Sequence, residues 1–472
     1  MIRDEGFEPA SPHKSPDYGL KCQVVRQLCW AFGVSVPTTF LPSPAHMSSS
    51  LPTLTRWVRA AAALTGLVLL SGCEKLNFWR MDGHQSTIVV DGPVAREQLH
   101  IFYVTCWVSL VIFVIVAGVL AYATLKFRAR SEADEHAEPP PQGHGNPLVE
   151  LGLIGASVLA LVIIAVPTLK GIWYTMELPE SEKATAYEVN AIGYQWWFKF
   201  EYPGELVAVN DTGAKAPLVT SNELVIPAGR AVKVNLRTVD VIHSFWVPKL
   251  AGKVDMIPNR ANYLWFKADK PGYFWGQCAE YCGDSHAVMR FRVIALEQKE
   301  FNEWLEQQGQ LARKVAPTVA AAERPRAQFA SLRTFKENEV GVTAKYDVNP
   351  LEAWRAKQLP EKDEDAALIA KGREVFREKA CITCHVVRGH DGVGITAPDL
   401  THIGSRTTIA AGLLENNTEQ LRRWIRDPGS VKPGNKMALA YARKGQDGKP
   451  IDGIKLTTEE EVALAAYLES LK

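Results

Sequence analysis

Two cysteines, a histidine and a methionine fall at intervals of four, four and three residues in Cys278-Ala-Glu-Tyr-Cys282-Gly-Asp-Ser-His286-Ala-Val-Met289. No other stretch of the 472 residues restricts so sharply what the chain around it must build. Thiolates, an imidazole and a thioether on one short loop are a soft donor set, and soft sulfur with nitrogen suits copper. A mononuclear blue-copper site takes one cysteine. A second cysteine four residues away lets both thiolates bridge two ions, which suits electron transfer. The missing imidazole is supplied 35 residues upstream by Asp240-Val-Ile-His243-Ser-Phe-Trp-Val-Pro248. Two readings compete: a structural disulfide between Cys278 and Cys282, which leaves the spacing unexplained, and zinc, which seldom takes methionine.

The loop resembles the dinuclear CuA site of subunit II of the haem–copper oxidases. Lys253-Val-Asp255-Met-Ile-Pro258-Asn-Arg260-Ala-Asn262 is similar to that family's loop after the first histidine. The resemblance implies copper ligation by the side chains of His243, Cys278, Cys282, His286 and Met289, and by the backbone carbonyl of Glu280. Asn259 stands where the family usually has glycine; asparagine tolerates positive φ better than most residues, so the turn is expected to survive. Gly193-Tyr-Gln-Trp196-Trp197-Phe-Lys-Phe200 resembles the aromatic region through which the family receives electrons, with Trp196 in that role. The same resemblance makes Glu150 the entrance of a proton path into subunit I. It also makes Glu280 and Asp240 candidate ligands of a magnesium or manganese ion at the subunit boundary.

A second redox motif follows a hundred residues on. Cys381-Ile-Thr-Cys384-His385 is the attachment signal of a covalent haem c, in which two thiols bind the porphyrin and the adjacent imidazole ligates iron. Met437 is the only methionine after His385 and completes a His/Met pair, a ligation that raises the iron potential. Its setting, Lys432-Pro-Gly-Asn-Lys-Met437, is similar to the ligand loop of class I cytochromes c, and Thr396-Ala-Pro398-Asp399-Leu400 resembles their segment against the proximal histidine. A thioredoxin-type pair would want a βαβ context and a zinc knuckle a second Cys/His pair. Leu368, Gly372, Val375 and Phe376 repeat at helical spacing, as do Leu464, Tyr467, Leu468 and Leu471. Thr458 and Glu461 have the pattern of a capping box for the last helix. His390 and His402 are expected at the surface or near the propionates rather than on iron.

Ile101 to Leu125 is free of charge and long enough to span a bilayer; Leu151 to Leu169 is a second such run. Lys126, Arg128 and Arg130 lie between them and favour a cytoplasmic connection. Both ends of this hairpin are then outside, which agrees with thioether-linked haem and dithiolate copper. The expected location is a bacterial cytoplasmic (inner) membrane, multi-pass, with both redox domains on the periplasmic side. Arg56 and Arg59, the apolar stretch Ala60 to Leu70 and Leu70-Ser-Gly-Cys73 read as a signal peptide. The last four residues resemble a lipobox, which implies acylation of Cys73. That signal is well formed when counted from Met47. A net charge of +1 gives no reason to expect nucleic acid.

The expected organisation is multidomain: 1–46 an overextended start, 47–72 a lipoprotein-type signal peptide, and 73–98 a periplasmic tail. A transmembrane two-helix hairpin follows at 99–170 (spans 101–125 and 149–169), then an all-β cupredoxin-like Greek-key sandwich at 171–308. Residues 309–364 read as a linker, disordered or bearing a helix for a partner, before an all-α cytochrome c domain at 365–472. A flexible tether would hold the haem domain over the copper domain, with Lys371, Arg373, Lys379, Arg388 and Lys436 as a docking face for a donor. The whole resembles subunit II of caa3-type cytochrome c oxidases. The resemblance implies partnership with oxidase subunit I and further oxidase subunits, with a soluble cytochrome c or donor complex, and with membrane lipid. A copper-containing nitric oxide reductase subunit and a membrane-tethered copper chaperone are the rivals. Nitrous oxide reductase shares the copper spacing but would need a propeller and no hairpin.

Overall fold

The computed structural model describes residues 81, 83–136, 138, 143, 145–210, 212–315, 350–361, 364–390, 392, 394, 396–444 and 450–472. Helix α1 (Pro93–Lys126) begins after an extended Gly92, with Pro93 in the first turn, where its missing N–H costs nothing. Helix α2 (Pro147–Met176) also begins with proline, and the Asn146 side chain caps it by accepting from Leu148 N. The start of α1 meets the end of α2 where Ile101 lies against Gly171, so the two run antiparallel. Val111, Phe113, Leu151 and Leu161 are all more than half exposed. Helices apolar on every side need hydrocarbon around them.

The chain then builds two five-stranded sheets. The first has the order β3–β2–β1–β5–β8, from β1 (Tyr187–Tyr194), β2 (Trp197–Ala208), β3 (Lys215–Ser221), β5 (Val232–Thr238) and β8 (Asn262–Phe266). The second has the order β4–β10–β9–β6–β7, from β4 (Glu223–Pro227), β6 (His243–Trp246), β7 (Val254–Met256), β9 (Gly272–Cys278) and β10 (Arg290–Leu296). Val189 and Ala191 alternate inward on β1, and Phe198, Phe200 and Tyr202 on β2, as one-sided strands require. Phe245 and Phe291 meet at 4.6 Å between ring centroids and Phe198 and Phe291 at 4.7 Å, joining the sheets through a shared aromatic core. Asn259 has φ +58°, the left-handed geometry expected for its turn. Alternation on β10 breaks down as a guide to exposure: Arg292 is 3% exposed, because the haem domain covers that face.

Helix α3 (Gln298–Gly309) packs Phe301 and Trp304 into the sandwich core. Helix α4 (Pro350–Lys357) adds Trp354 to the same core and donates its indole N–H to Glu223 Oε2 at 3.1 Å. Where it is described, the expected linker is therefore not a tether; it carries a helix seated on this chain's own copper domain.

Helices α5 (Ala366–Glu378), α6 (Thr418–Arg426) and α7 (Thr458–Ser470) surround the C-terminal core. α5 and α7 cross where a Cβ on Gly372 would lie 1.9 Å from the Ala463 carbonyl oxygen, so only glycine permits the approach. The cap of α7 is one residue earlier than expected: Thr457 and Glu460 form the box. Glu461 turns inward to receive Arg426 at 2.9 and 2.6 Å.

Candidate metal centre

Strand β6 brings in His243, fully buried, and β9 ends on Cys278. The loop between β9 and β10 is closed at its base by Cys278 N donating to Met289 O at 2.9 Å. Within it, Cys278 Sγ lies 3.7 Å from Cys282 Sγ, 3.9 Å from His243 Nδ1 and 3.2 Å from the Glu280 carbonyl. Cys282 Sγ lies 3.5 Å from His286 Nδ1 and 3.8 Å from Met289 Sδ. The cysteines are free thiols, so the disulfide reading fails. Ligands about 2.0–2.3 Å from a shared ion sit roughly 3.3–3.8 Å from one another. The donor set is therefore spaced to hold metal, and its thioether and two thiolates fit copper.

The thiol pair shares a proton: hydrogen bonding from Cys282 holds Cys278 well below the usual thiol range and pushes Cys282 up. Burial opposes charge on His243, but its hydrogen bonds to Asp240 and Cys278 outweigh that and raise its pKa. Asp240 accepts from His243 Nε2 at 2.9 Å, Gln195 N at 2.8 Å and Val241 N at 2.9 Å. These bonds lower its pKa against burial and fix the ring so that Nδ1 faces Cys278. Asp240 thus orients the candidate copper ligand His243, a role the sequence did not signal. The Glu280 carboxylate faces elsewhere, 3.7 Å from Lys253 Nζ. Among the described residues, neither carboxylate belongs to a cluster of three or more metal-ligating side chains.

Cys381, His385, Pro398 and Met437 line one cleft, walled by Phe376, Leu400, Ile403, Leu421, Trp424, Leu464 and Leu468. His385 Nδ1 lies 2.8 Å from Pro398 O. A carbonyl only accepts, so Nδ1 carries the proton and Nε2 keeps the lone pair that a metal ligand needs. Burial lowers the His385 pKa and keeps the ring neutral. An apolar cleft with the attachment cysteine Cys381, a lone-pair imidazole nitrogen and a thioether on its walls fits a covalent haem, while Cys384 is exposed beside it. His390 and His402 are not among its lining residues. His402 is buried rather than at the surface, with Nε2 3.2 Å from Gln310 O.

Trp196 stands between the two centres. Its Nε1 donates to Cys282 O at 2.9 Å, alongside Gln195 Nε2 at 2.9 Å, and its ring lines the haem cleft. Gly434 of the Met437 loop presses so close that a Cβ there would lie 2.7 Å from Trp196 Cη2. The two domains are hydrogen-bonded together elsewhere as well. Glu223, buried at 5% exposure, accepts from Thr407 N and Oγ1, each at 2.8 Å. Arg290 N donates to Ala411 O at 3.0 Å and Arg292 Nη2 to Gly412 O at 3.2 Å. Arg388, expected on a docking face, is buried between the domains and donates to Ala208 O at 3.1 Å and Gln308 O at 2.6 Å. Lys436 lies 3.7 Å from Asp240 on the copper domain. The free-tether expectation is thereby corrected.

Glu150 sits exposed in the first turn of α2, its carboxylate folded back toward Gly145. Negative charge there also suits the helix N-terminus. Cys73, the signal segment and residues 1–46 lie outside the described residues.

Fold and site together define a membrane-anchored electron-transfer subunit made of a cupredoxin-like domain and a cytochrome c domain. Residues 187–296 match the family model for the cytochrome c oxidase subunit II periplasmic domain, and residues 369–472 match that for cytochrome c. Cytochrome c oxidase subunit 2 of Alkalihalophilus pseudofirmus is 34% identical over 412 residues, 86% of this chain and 94% of that protein. The Bacillus subtilis protein of the same name is 31% identical over 422 residues, 86% of this chain and 95% of its own. The solved periplasmic domain of subunit II of cytochrome oxidase from Bradyrhizobium japonicum is 33% identical, covering 28% of this chain and 96% of that one, with a TM-score of 0.24. The chain belongs to the cytochrome c oxidase subunit 2 family. It is a component of a haem–copper oxidase that works with other oxidase subunits, and its two domains imply CuA copper and haem.

Proposed function

We propose that this chain is the electron inlet of a caa3-type cytochrome c oxidase. The chemistry supplied by a bound haem c and copper pair is one-electron transfer from a soluble cytochrome c or donor complex, through haem and then copper, to subunit I, where oxygen is reduced to water with proton translocation. Cys381 and Cys384 attach the haem, His385 and Met437 hold its iron, and His243, Cys278, Cys282, His286, Met289 and the Glu280 carbonyl hold two coppers. Asp240 fixes the His243 ring, and the Glu280 and Asp240 carboxylates remain the candidates for a magnesium or manganese ion at the subunit boundary. Glu150 opens the proton path of subunit I. Acylated Cys73 and the hairpin anchor the chain in a bacterial inner membrane with both redox domains in the periplasm.

The observation that carries this reading is the position of Trp196, hydrogen-bonded to a copper-loop carbonyl while lining the cleft of His385 and Met437. Deleting residues 365–472 from the assembled oxidase tests it. The copper spectrum should persist while oxidation of the natural donor slows severely; full-rate oxidation by the truncated complex would overturn it.

A further inference from the structure

Lys432 is fully buried at the seam between the two domains. Its ammonium donates to Trp196 O at 2.6 Å, Val288 O at 3.3 Å and Ala410 O at 3.3 Å. An ammonium has three donors, and here each meets a main-chain carbonyl from a different segment. Trp196 lies in the turn between β1 and β2, Val288 directly precedes the candidate ligand Met289, and Ala410 belongs to the haem domain. Burying a lysine nitrogen without a carboxylate partner is expensive, and burial pulls its pKa down to about 7, so the three carbonyls must satisfy it well for the contact to persist. The adjacent contacts reinforce it: Ser285 Oγ of the copper loop donates to Pro433 O, and Gly434 packs on the Trp196 ring.

We propose that Lys432 is a positioning residue that latches the Met437 loop onto Trp196 and the copper loop, holding the two redox centres at a fixed separation. Electron transfer falls steeply with distance, so the latch sets the rate of the internal step without touching either metal. The proposal extends the haem-to-copper reading above and rests on it for its kinetic consequence; its structural consequence stands independently.

Lys432→Met keeps the length of the side chain and removes all three donors, leaving three buried carbonyls without their partner. Lys432→Gln restores part of the hydrogen bonding. In the full-length protein, hydrogen exchange at the interdomain amides of Arg290 and Thr407 should rise about tenfold in the Met variant and less in the Gln variant, as expected when a charge-assisted bond across the seam is lost. Amides within the sheet, such as those of Ala191 and Val234, should stay protected. Internal transfer, followed after rapid reduction of the haem, should slow and become sensitive to solvent viscosity, with both metal spectra and the rate of haem reduction by donor unchanged. Unchanged interdomain exchange in Lys432→Met overturns the latch. Lost protection in the sheet, or lost metal spectra, in both variants also overturns it, making Lys432 a residue needed for folding. Faster exchange with an unchanged transfer rate removes the kinetic role and counts against the haem-to-copper reading instead.

Discussion

Truncating Trp354 to alanine removes the side chain that seats α4 on the copper domain. The indole is 2% exposed and packs among the sandwich core residues, and its N–H reaches Glu223. Loss of a buried tryptophan side chain costs about 3–5 kcal/mol. Trp354→Phe keeps most of the packing and loses the indole bond to Glu223, a loss of about 0.5–1.5 kcal/mol. Glu223 would then be held only by the two donors of Thr407. Urea unfolding of the full-length protein in detergent, followed separately at the copper and haem absorptions, reads each domain without assuming a two-state transition. With a slope of about 2–3 kcal/mol per molar, the copper-domain midpoint should drop by about 1–2 M in the Ala variant. A tether lying free in solvent would show no change. Midpoints identical to the parent protein in both variants would refute the docked linker.

Replacing Cys278 or Cys282 with serine should abolish a mixed-valence dinuclear copper signal in electron paramagnetic resonance, whereas Met289→Leu should keep the signal and shift its potential. Met437→Ala should open the sixth haem position and lower the potential, read as loss of the thioether–iron absorption band. His402, pushed down to about 4 by burial and then by Arg388, is neutral in the folded protein. Its stabilising contribution is complete above its unfolded pKa of about 6.5 and drains at up to about 1.4 kcal/mol per unit as pH falls toward 4. Haem-domain melting temperature measured against pH should show this fall, and His402→Gln should flatten it.

What the sequence made legible was local. The copper loop and the C-x-x-C-H run are contiguous, so spacing pointed to their cysteines, histidines and Met289 as candidates while the family resemblance supplied the roles, and φ +58° at Asn259 follows from a residue type that tolerates it. The hairpin was legible because apolar length is a property of sequence. What stayed hidden depends on partners distant in the chain. Arg388 read as part of a donor docking face until the other domain buries it, nothing in the sequence marked Lys432 as buried, and Arg292 follows a strand alternation that the haem domain overrides. Glu223 and Trp354 are 131 residues apart, with no pattern linking them. Asp240 was legible as a carboxylate near copper, but its orienting role requires seeing which nitrogen of His243 it holds. The capping box slipped by one residue because Thr457 and Thr458 are each followed by glutamate at the third position.

The central claim is that electrons reach the copper loop through the haem domain of the same chain, across Trp196. Rapid photochemical reduction of the haem in the purified oxidase, followed at the haem and copper absorptions together, tests it most directly. The account predicts that haem oxidation and copper reduction share one first-order rate, independent of protein concentration and slowed in Trp196→Leu. Copper reduction that precedes haem reduction, or whose rate scales with protein concentration, would contradict it.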